Sequence, residues 1–456
     1  MERRNFLKNT LMGAAVISAG SFVSGGLSEV FGQKAPSNKI KVGLIGCRNQ
    51  GWSNLEAFLR YPEVECVSLC DIDDEWLNKR AADIEKKTGK KPPQLEKDWR
   101  KVIDNKDVDV VIIGTPDHWH CLPLVAACES GKDVYVEKPL SNTIEECNLM
   151  VKATRKYNRI VQVGQWQRSD PHWDEAAAFV RSGKLGRVRT VKVWAYQPSK
   201  WTLPVVPDSN PPAGVDYDMW LGPAPKKPYN DNRFHYNFRF FWDYAGGLMA
   251  DWGVHLLDYA LEGMNVGLPS YVYGAGGKYA YPDDAMETPD TLMVTYKYPD
   301  FNIIWDHACG IGTGLFDKKE GVAFFGENGT LLLTRGGWEV RPELNNNGRI
   351  FPYCYPCDAE RKQATPRMEA VSWKKGEGKG LYNHVGNMLK CIKTRELPKC
   401  DIEIGAKVAI LSHMGNISSR VGSALKWDNK TNTFDNKKAN QLAKAYYRSP
   451  WKLPKV

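Results

Sequence analysis

The chain has 456 residues, with 62 Lys and Arg against 53 Asp and Glu, for a formal net charge of +9. Hydrophobic residues make up 42% and charged residues 25%, a globular balance that excludes a low-complexity chain, a collagen and a polytopic membrane protein. The basic excess sits at the ends: residues 1–34 carry +2 and the segment from Asn436 carries +6, leaving +1 for the 401 residues between. No nucleic-acid motif accompanies it, so no nucleic-acid partner is expected.

At the N-terminus, Arg3 and Arg4 precede Phe6, Leu7 and Lys8, and then an uncharged stretch from Thr10 to Ser28. This resembles a twin-arginine export signal, with residues 1–34 as signal and linker and the periplasm as destination. The stretch is too weakly apolar for stable membrane insertion. Export of an already folded protein suits one that loads a cofactor before it leaves.

Lys39 to Ile45 alternates like a strand and runs into Gly46-Cys47-Arg48-Asn49-Gln50-Gly51, then into a helical stretch through Arg60. A second strand, Val64 to Cys70, ends at Asp71, twenty residues after Gly51. Strand, tight turn, helix, strand and acid form the dinucleotide-binding pattern. Amides at the helix start hold a pyrophosphate, and the acid takes ribose hydroxyls. Asp71 would repel a ribose 2′-phosphate, favouring NAD over NADP. Arg48 occupies the middle glycine position, where a side chain either displaces the turn or itself contacts an anion.

The apolar run Val108 to Gly114 suits a central parallel strand and ends in Thr115-Pro116-Asp117-His118-Trp119-His120. Lys132 to Val136 is a strand ending in Glu137-Lys138-Pro139, and Ile160 to Gly164 one ending in Gln165-Trp166-Gln167-Arg168. Residues 38–163 thus form one α/β unit with ligand groups after its strand ends.

Residues 164–425 read as a second domain. Seven of the sixteen tryptophans fall between Gln165 and Trp252, and a proline-rich loop, Pro198 to Pro228, reads as a lid or arm. Aromatic faces there suit either a sugar ring or an aromatic core. From Leu248 a helix opened by Gly246-Gly247 places Asp251, His255 and Asp258 at i, i+4 and i+7 on one face. Segments such as Thr291 to Tyr298, Asn302 to His307, Val322 to Phe325 and Thr330 to Leu333 read as strands of a largely antiparallel sheet. Helical patterns follow at 382–393 and 404–424, and residues 426–456 read as a basic, solvated or subunit-contacting tail. Cys354 and Cys357 lack partners for a zinc site and read as a local disulfide or two thiols; His118 and His120 lack a local carboxylate cluster, so no metal is expected.

These motifs resemble the glucose–fructose oxidoreductase, inositol dehydrogenase and rhizopine-catabolism (Gfo/Idh/MocA) family. The carriers are the Gly46 turn, Asp71, the Thr115–His120 run and Glu137-Lys138-Pro139. The resemblance covers most of the chain after about residue 38. It implies a Rossmann-type doubly wound parallel sheet followed by an α+β domain with a large, mostly antiparallel open sheet. It also implies NAD held by Gly46, Arg48, Asn49, Gln50, Gly51 and Asp71, with Thr115, Pro116, His118, His120, Glu137 and Lys138 toward the nicotinamide. By the same resemblance Lys138, Asp251 and His255 are catalytic: His255 as base, Lys138 as stabiliser of oxygen charge, Asp251 as orienter. Gln165, Trp166, Arg168, Arg239 and Trp252 fall on the substrate side. The expected activity is oxidation of a secondary hydroxyl on a sugar, glycoside or polyol, with a retained cofactor. An NAD-dependent glycoside hydrolase or lyase working by transient oxidation and elimination is the alternative, and a non-catalytic sugar-binding protein a further one. The exposed sheet face makes a homodimer or tetramer the expected assembly.

Overall fold

The computed structural model describes residues 39–90, 93–197, 202–345 and 364–456. The export-signal segment, Pro198, Trp201 and the Cys354/Cys357 pair lie outside the described residues.

Six parallel strands form the first sheet: β1 (Ile40–Ile45), β2 (Val64–Cys70), β3 (Gln94–Glu96), β4 (Val110–Ile113), β5 (Asp133–Val136) and β6 (Val161–Val163). Their order is β3-β2-β1-β4-β5-β6. The order reverses between β1 and β4, which opens a crevice at their carboxyl ends. β4 is buried along its whole length, which is why Val110–Ile113 is unbroken apolar sequence and not alternating. The helix α1 (Asn49–Phe58) follows β1. A much later helix, Gly380–Thr394, sends Val385, Met388 and Leu389 into the core shared by Val42, Leu44 and Phe58. A helix far along the chain therefore helps to close the first domain.

The second sheet has ten strands: β7 (Thr190–Gln197), β8 (Tyr271–Gly277), β9 (Thr291–Lys297), β10 (Asn302–Cys309), β11 (Glu320–Phe325), β12 (Gly329–Thr334), β13 (Gly337–Pro342), β14 (Val371–Lys375), β15 (Leu425–Asp428) and β16 (Thr433–Phe434). They run in the order β14-β13-β12-β11-β7-β10-β9-β8-β15-β16. The β7–β10 pair is parallel and the other paired strands are antiparallel. β9 shows the logic of a half-covered sheet: Leu292, Val294 and Tyr296 are buried while Met293 is exposed. The covering helices are Gly253–Met264 and Ile402–Val421, and the Tyr296 hydroxyl donates to the Leu411 carbonyl at 2.8 Å.

The proline-rich arm sends Leu203, Trp220 and Leu221 into a cluster with Tyr229, Phe234, Phe238 and Phe240 of the segment that follows it. It lies across the loop after β2. Val215 pairs with Asp73, and the Asp216 N–H donates to the Ile72 carbonyl at 2.9 Å. The basic C-terminal segment is packed on the body and is not a free tail. Tyr447 donates to Glu146 at 2.8 Å, Trp451 stands edge-on to Trp119 at 5.0 Å, and Arg448 donates to the Asp218 carbonyl at 2.8 Å. No described helix is long and apolar enough to cross a membrane.

Candidate active site

A cavity of about 340 Å³ runs from the crevice at β1 and β4 to the helices of the second domain. Its first half is built from glycines that leave backbone exposed. Gly46 has φ +90°, and a Cβ there would sit 2.7 Å from the Gly114 backbone. A Cβ on Gly51 would sit 2.1 Å from the Gly46 carbonyl oxygen. Only glycine allows the turn, the helix start and the end of β4 to approach this closely. No side chain caps α1 at Arg48, whereas Asp73 and Thr143 cap the helices that follow them. The amides at the start of α1 are thus open to an anion.

Arg48 does not block this turn. Its backbone is extended, and its guanidinium lies 4.6 Å from the centre of the Trp76 ring. Arg80 stacks in turn on Trp76 at 5.2 Å and Trp52 at 4.4 Å. The Arg48 Nε is buried without a hydrogen-bond partner, and Arg48 lines the cavity beside Asn49 and Gln50. Asp71 accepts from the Cys47 N–H at 2.6 Å and the Asp73 N–H at 3.1 Å, which shapes the turn as well as lining the cavity. Burial pushes its carboxyl up to about 6. Uncapped helix start, glycine cradle and terminal acid fit a dinucleotide.

The other half of the cavity gathers chemistry from both domains. Lys138 follows β5, and its ammonium donates to the Asp251 carboxylate at 2.6 Å and to the Asp251 carbonyl at 3.0 Å. Arg239 reaches the same carboxylate at 3.4 Å. Burial would raise the Asp251 carboxyl, but Lys138 and Arg239 hold it well below the usual carboxylate range. His255 is buried one turn on, and burial, followed by Lys138 and Arg335, keeps its imidazole well below its ordinary pKa. His255 is therefore neutral at neutral pH. Gly246 and Gly247 permit this placement: Gly247 has φ +63°, and a Cβ there would strike Thr288 at 2.7 Å.

The expected single helix from Leu248 is two, Gly247–Asp251 and Gly253–Met264, joined at Trp252. Asp251, Trp252 and His255 line the cavity, but Asp258 does not. Its carboxylate is gripped by Arg168 at 2.6 and 2.7 Å.

Thr115, Pro116, Glu137, Trp166 and Arg239 also line the cavity. Glu137 accepts from Asn54 at 2.9 Å, which ties α1 to the Lys138 loop. The expected cofactor residues His118 and His120 do not face the cavity. The His118 Nε2 lies 3.0 Å from the Trp220 carbonyl oxygen, and the His120 ring spans the carbonyls of Thr115 at 2.9 Å and Pro139 at 2.8 Å. They buckle loops together. Gln165 is buried behind the site and accepts from Cys400, and Arg168 is spent on Asp258 and Glu262. Neither lines the cavity, so both expected substrate contacts are replaced by structural ones. No group of His, Cys, Asp and Glu among the described residues could hold a metal ion.

Asp117 and Arg335 are two of the lining residues that the sequence does not single out for the site. Asp117, from the Thr115–His120 run, is buried and pushed up to about 8, so it keeps its proton at neutral pH. Arg335 arrives from the turn between β12 and β13. Asp117 carried a signal, since it lies inside a conspicuous strand-end motif; Arg335 carried none.

Residues 40–165 match the family model described as "Oxidoreductase family, NAD-binding Rossmann fold", and residues 177–302 match "Oxidoreductase family, C-terminal alpha/beta domain". A "Glycosyl hydrolase family 109 protein" of Shewanella sp. (strain W3-18-1) is 35% identical over 122 residues, 26% of this chain and 27% of that protein. An "Alpha-N-acetylgalactosaminidase" of Shewanella oneidensis is 32% identical over 163 residues, 32% of this chain and 35% of that protein. The chain thus spans about a third or less of the length of these curated relatives. A levoglucosan dehydrogenase solved with NADH and levoglucosan aligns with TM-score 0.61 at 20% identity, over 85% of this chain and 99% of that one. An aldose–aldose oxidoreductase from Caulobacter crescentus aligns with TM-score 0.60 at 19% identity, over 85% and 99%. The two family models follow one another along the chain and cover more than half of it together, the first spanning the six-stranded sheet and the second reaching through β7, β8 and β9 of the ten-stranded one, so the chain belongs to the Gfo/Idh/MocA family of oxidoreductases, with an NAD-binding Rossmann domain at its N-terminal side.

Proposed function

We propose that this protein oxidises a secondary hydroxyl of a sugar, glycoside or polyol. The observation that carries the reading is the meeting of Lys138, Asp251 and His255 at the far end of the glycine-cradled crevice, in one cavity. NAD, when bound, supplies the hydride acceptor. Loss of hydride from the carbinol carbon leaves one proton to be taken from the hydroxyl. His255, neutral in its buried site, accepts that proton. The Lys138 ammonium has three donors; two are committed to Asp251, and the third is available to the substrate oxygen as charge develops on it. Asp251 fixes the ammonium and stabilises the imidazolium that forms. Trp166 and Trp252 give the pocket the apolar faces that a sugar ring requires.

The names of the curated relatives favour a second reading, in which the oxidised sugar eliminates its glycosidic substituent and is then reduced again. That cycle needs one more proton-handling group, and Asp117 stands in the cavity for it. The twin-arginine-like N-terminus supports an exported enzyme that carries its cofactor with it, and the apolar residues Tyr273 and Met293 on the open face of the second sheet support a homo-oligomer.

A panel of glycosides and polyols offered to the NAD-loaded protein separates the readings. A keto sugar is the expected product of the first, and free sugar plus aglycone of the second. Turnover of none of them sinks both.

A further inference from the structure

The hairpin between β12 and β13 delivers Arg335 to the reacting end of the cavity, eighty residues beyond His255 in sequence. Its guanidinium lies 4.4 Å from the centre of the Trp252 ring and 5.6 Å from that of Trp166. Trp166 in turn stands edge-on to His255 at 6.3 Å. Stacking on two indoles fixes the guanidinium plane and leaves its N–H edges to find acceptors elsewhere. Among the described residues none supplies one: Arg335 forms no ion pair, and its buried Nε has no hydrogen-bond partner. Glu320, which accepts from the Arg335 backbone N–H, and Asp251 are the carboxylates whose fields reach it, and neither forms an ion pair with its guanidinium.

The charges around it sharpen the point. Lys138, Arg239 and Arg335 are three cations at this end of the cavity. The first two are engaged by the Asp251 carboxylate. Burial pushes Asp117 and Glu137 toward their neutral forms. An unpaired guanidinium in a partly desolvated wall is costly unless an anion arrives to meet it.

We propose that the substrate carries an anionic oxygen group, a carboxylate or a sulfate ester, and that Arg335 binds it while Trp166 and Trp252 hold the guanidinium in place. The inference rests on the sugar-hydroxyl reading above and names the substrate class for that same site. An acidic group bound here also orients the ring against His255 and Lys138, because Arg335, Trp166 and His255 form one continuous wall.

The test uses matched probes: methyl glycosides of glucose, galactose and mannose, each beside its uronic acid and its 6-sulfate. Binding to the NAD-loaded protein is measured by calorimetry, which needs no turnover. The expected result is at least one matched pair in which the acidic member binds about tenfold more tightly or better, as a charge-assisted hydrogen bond predicts. Whether the uronate or the sulfate shows the gain identifies the group. Added salt erodes the gain, Arg335→Gln brings the ratio to about one, and Arg335→Lys keeps part of it. The wild-type ratio decides the matter even if a variant fails to fold. Equal binding of acidic and neutral members, no binding of any probe, or a preference that survives Arg335→Gln overturns the inference. Product analysis of the same mixtures tests the oxidation separately: an acidic preference without any keto sugar sinks the oxidation and leaves the anion site standing.

Discussion

Replacing Arg168 with methionine removes one half of a buried ion pair and keeps most of the side chain's volume. Arg168 donates to both oxygens of Asp258 at 2.6 and 2.7 Å and to Glu262 at 3.1 Å. The Asp258 side chain is 1% exposed, so water cannot take over from the guanidinium. Breaking such a pair from one side costs about 3–5 kcal/mol, because a charge is left buried without a partner. Asp258 can escape part of that cost by binding a proton. Burial already raises its carboxyl above the ordinary value with Arg168 present, and the variant raises it further. An acid whose folded pKa is raised binds its proton more tightly in the folded state. Its contribution to stability is greatest below the unfolded pKa and is lost as pH rises through the folded one. The deficit of Arg168→Met is therefore largest in mildly alkaline buffer and shrinks on acidification, by up to about 1.4 kcal/mol per pH unit across that window. Urea unfolding midpoints of the wild type and variant at about pH 5 and about pH 8 read this out. Adding Asp258→Leu restores most of the loss, since both charges are then gone. If Arg168→Met unfolds like the wild type and only the KM for a sugar rises, the ion pair is not structural and Arg168 reaches substrate.

Gly51→Ala places a Cβ 2.1 Å from the Gly46 carbonyl oxygen, so the start of α1 must move off the turn. NAD retention should fall about tenfold or more, measured as the Kd of the refolded apoprotein, and an unchanged Kd would show that the cradle lies elsewhere. Lys138→Met removes the largest charge that depresses His255. A base must be neutral to act, so kcat/KM rises with pH through the His255 pKa, and this acid limb should move to higher pH in the variant. A limb that stays in place separates Lys138 from the base.

Much of the first domain was legible because its signals are local. A fully buried parallel strand demands an unbroken apolar run, and Val110–Ile113 shows one. The Gly46 turn, the open start of α1 and the acid after β2 all fall within one strand–helix–strand unit. The strand-end polar residues were less decipherable. His118, His120, Gln165 and Arg168 have the composition of ligand groups, yet each is consumed by a partner distant in sequence: the Trp220 carbonyl, the Pro139 carbonyl, Cys400 and Asp258. Arg48 looked like an obstruction because Trp76, which draws its side chain aside, belongs to the next helix. The one-face reading of Asp251, His255 and Asp258 assumed a regular helix, and the join at Trp252 broke that phase. Arg335 was invisible for the opposite reason: its hairpin has no feature of its own, and only the sheet order carries it to the site.

The central claim is that the sugar's hydride reaches a nicotinamide bound in this cavity. The most direct test supplies the NAD-loaded protein with a turned-over sugar carrying deuterium at the oxidised carbon, and analyses the nicotinamide released by denaturation. The expected result is reduced nicotinamide bearing that deuterium, lost in His255→Ala. Product formation with no label on the nicotinamide at any time would contradict it.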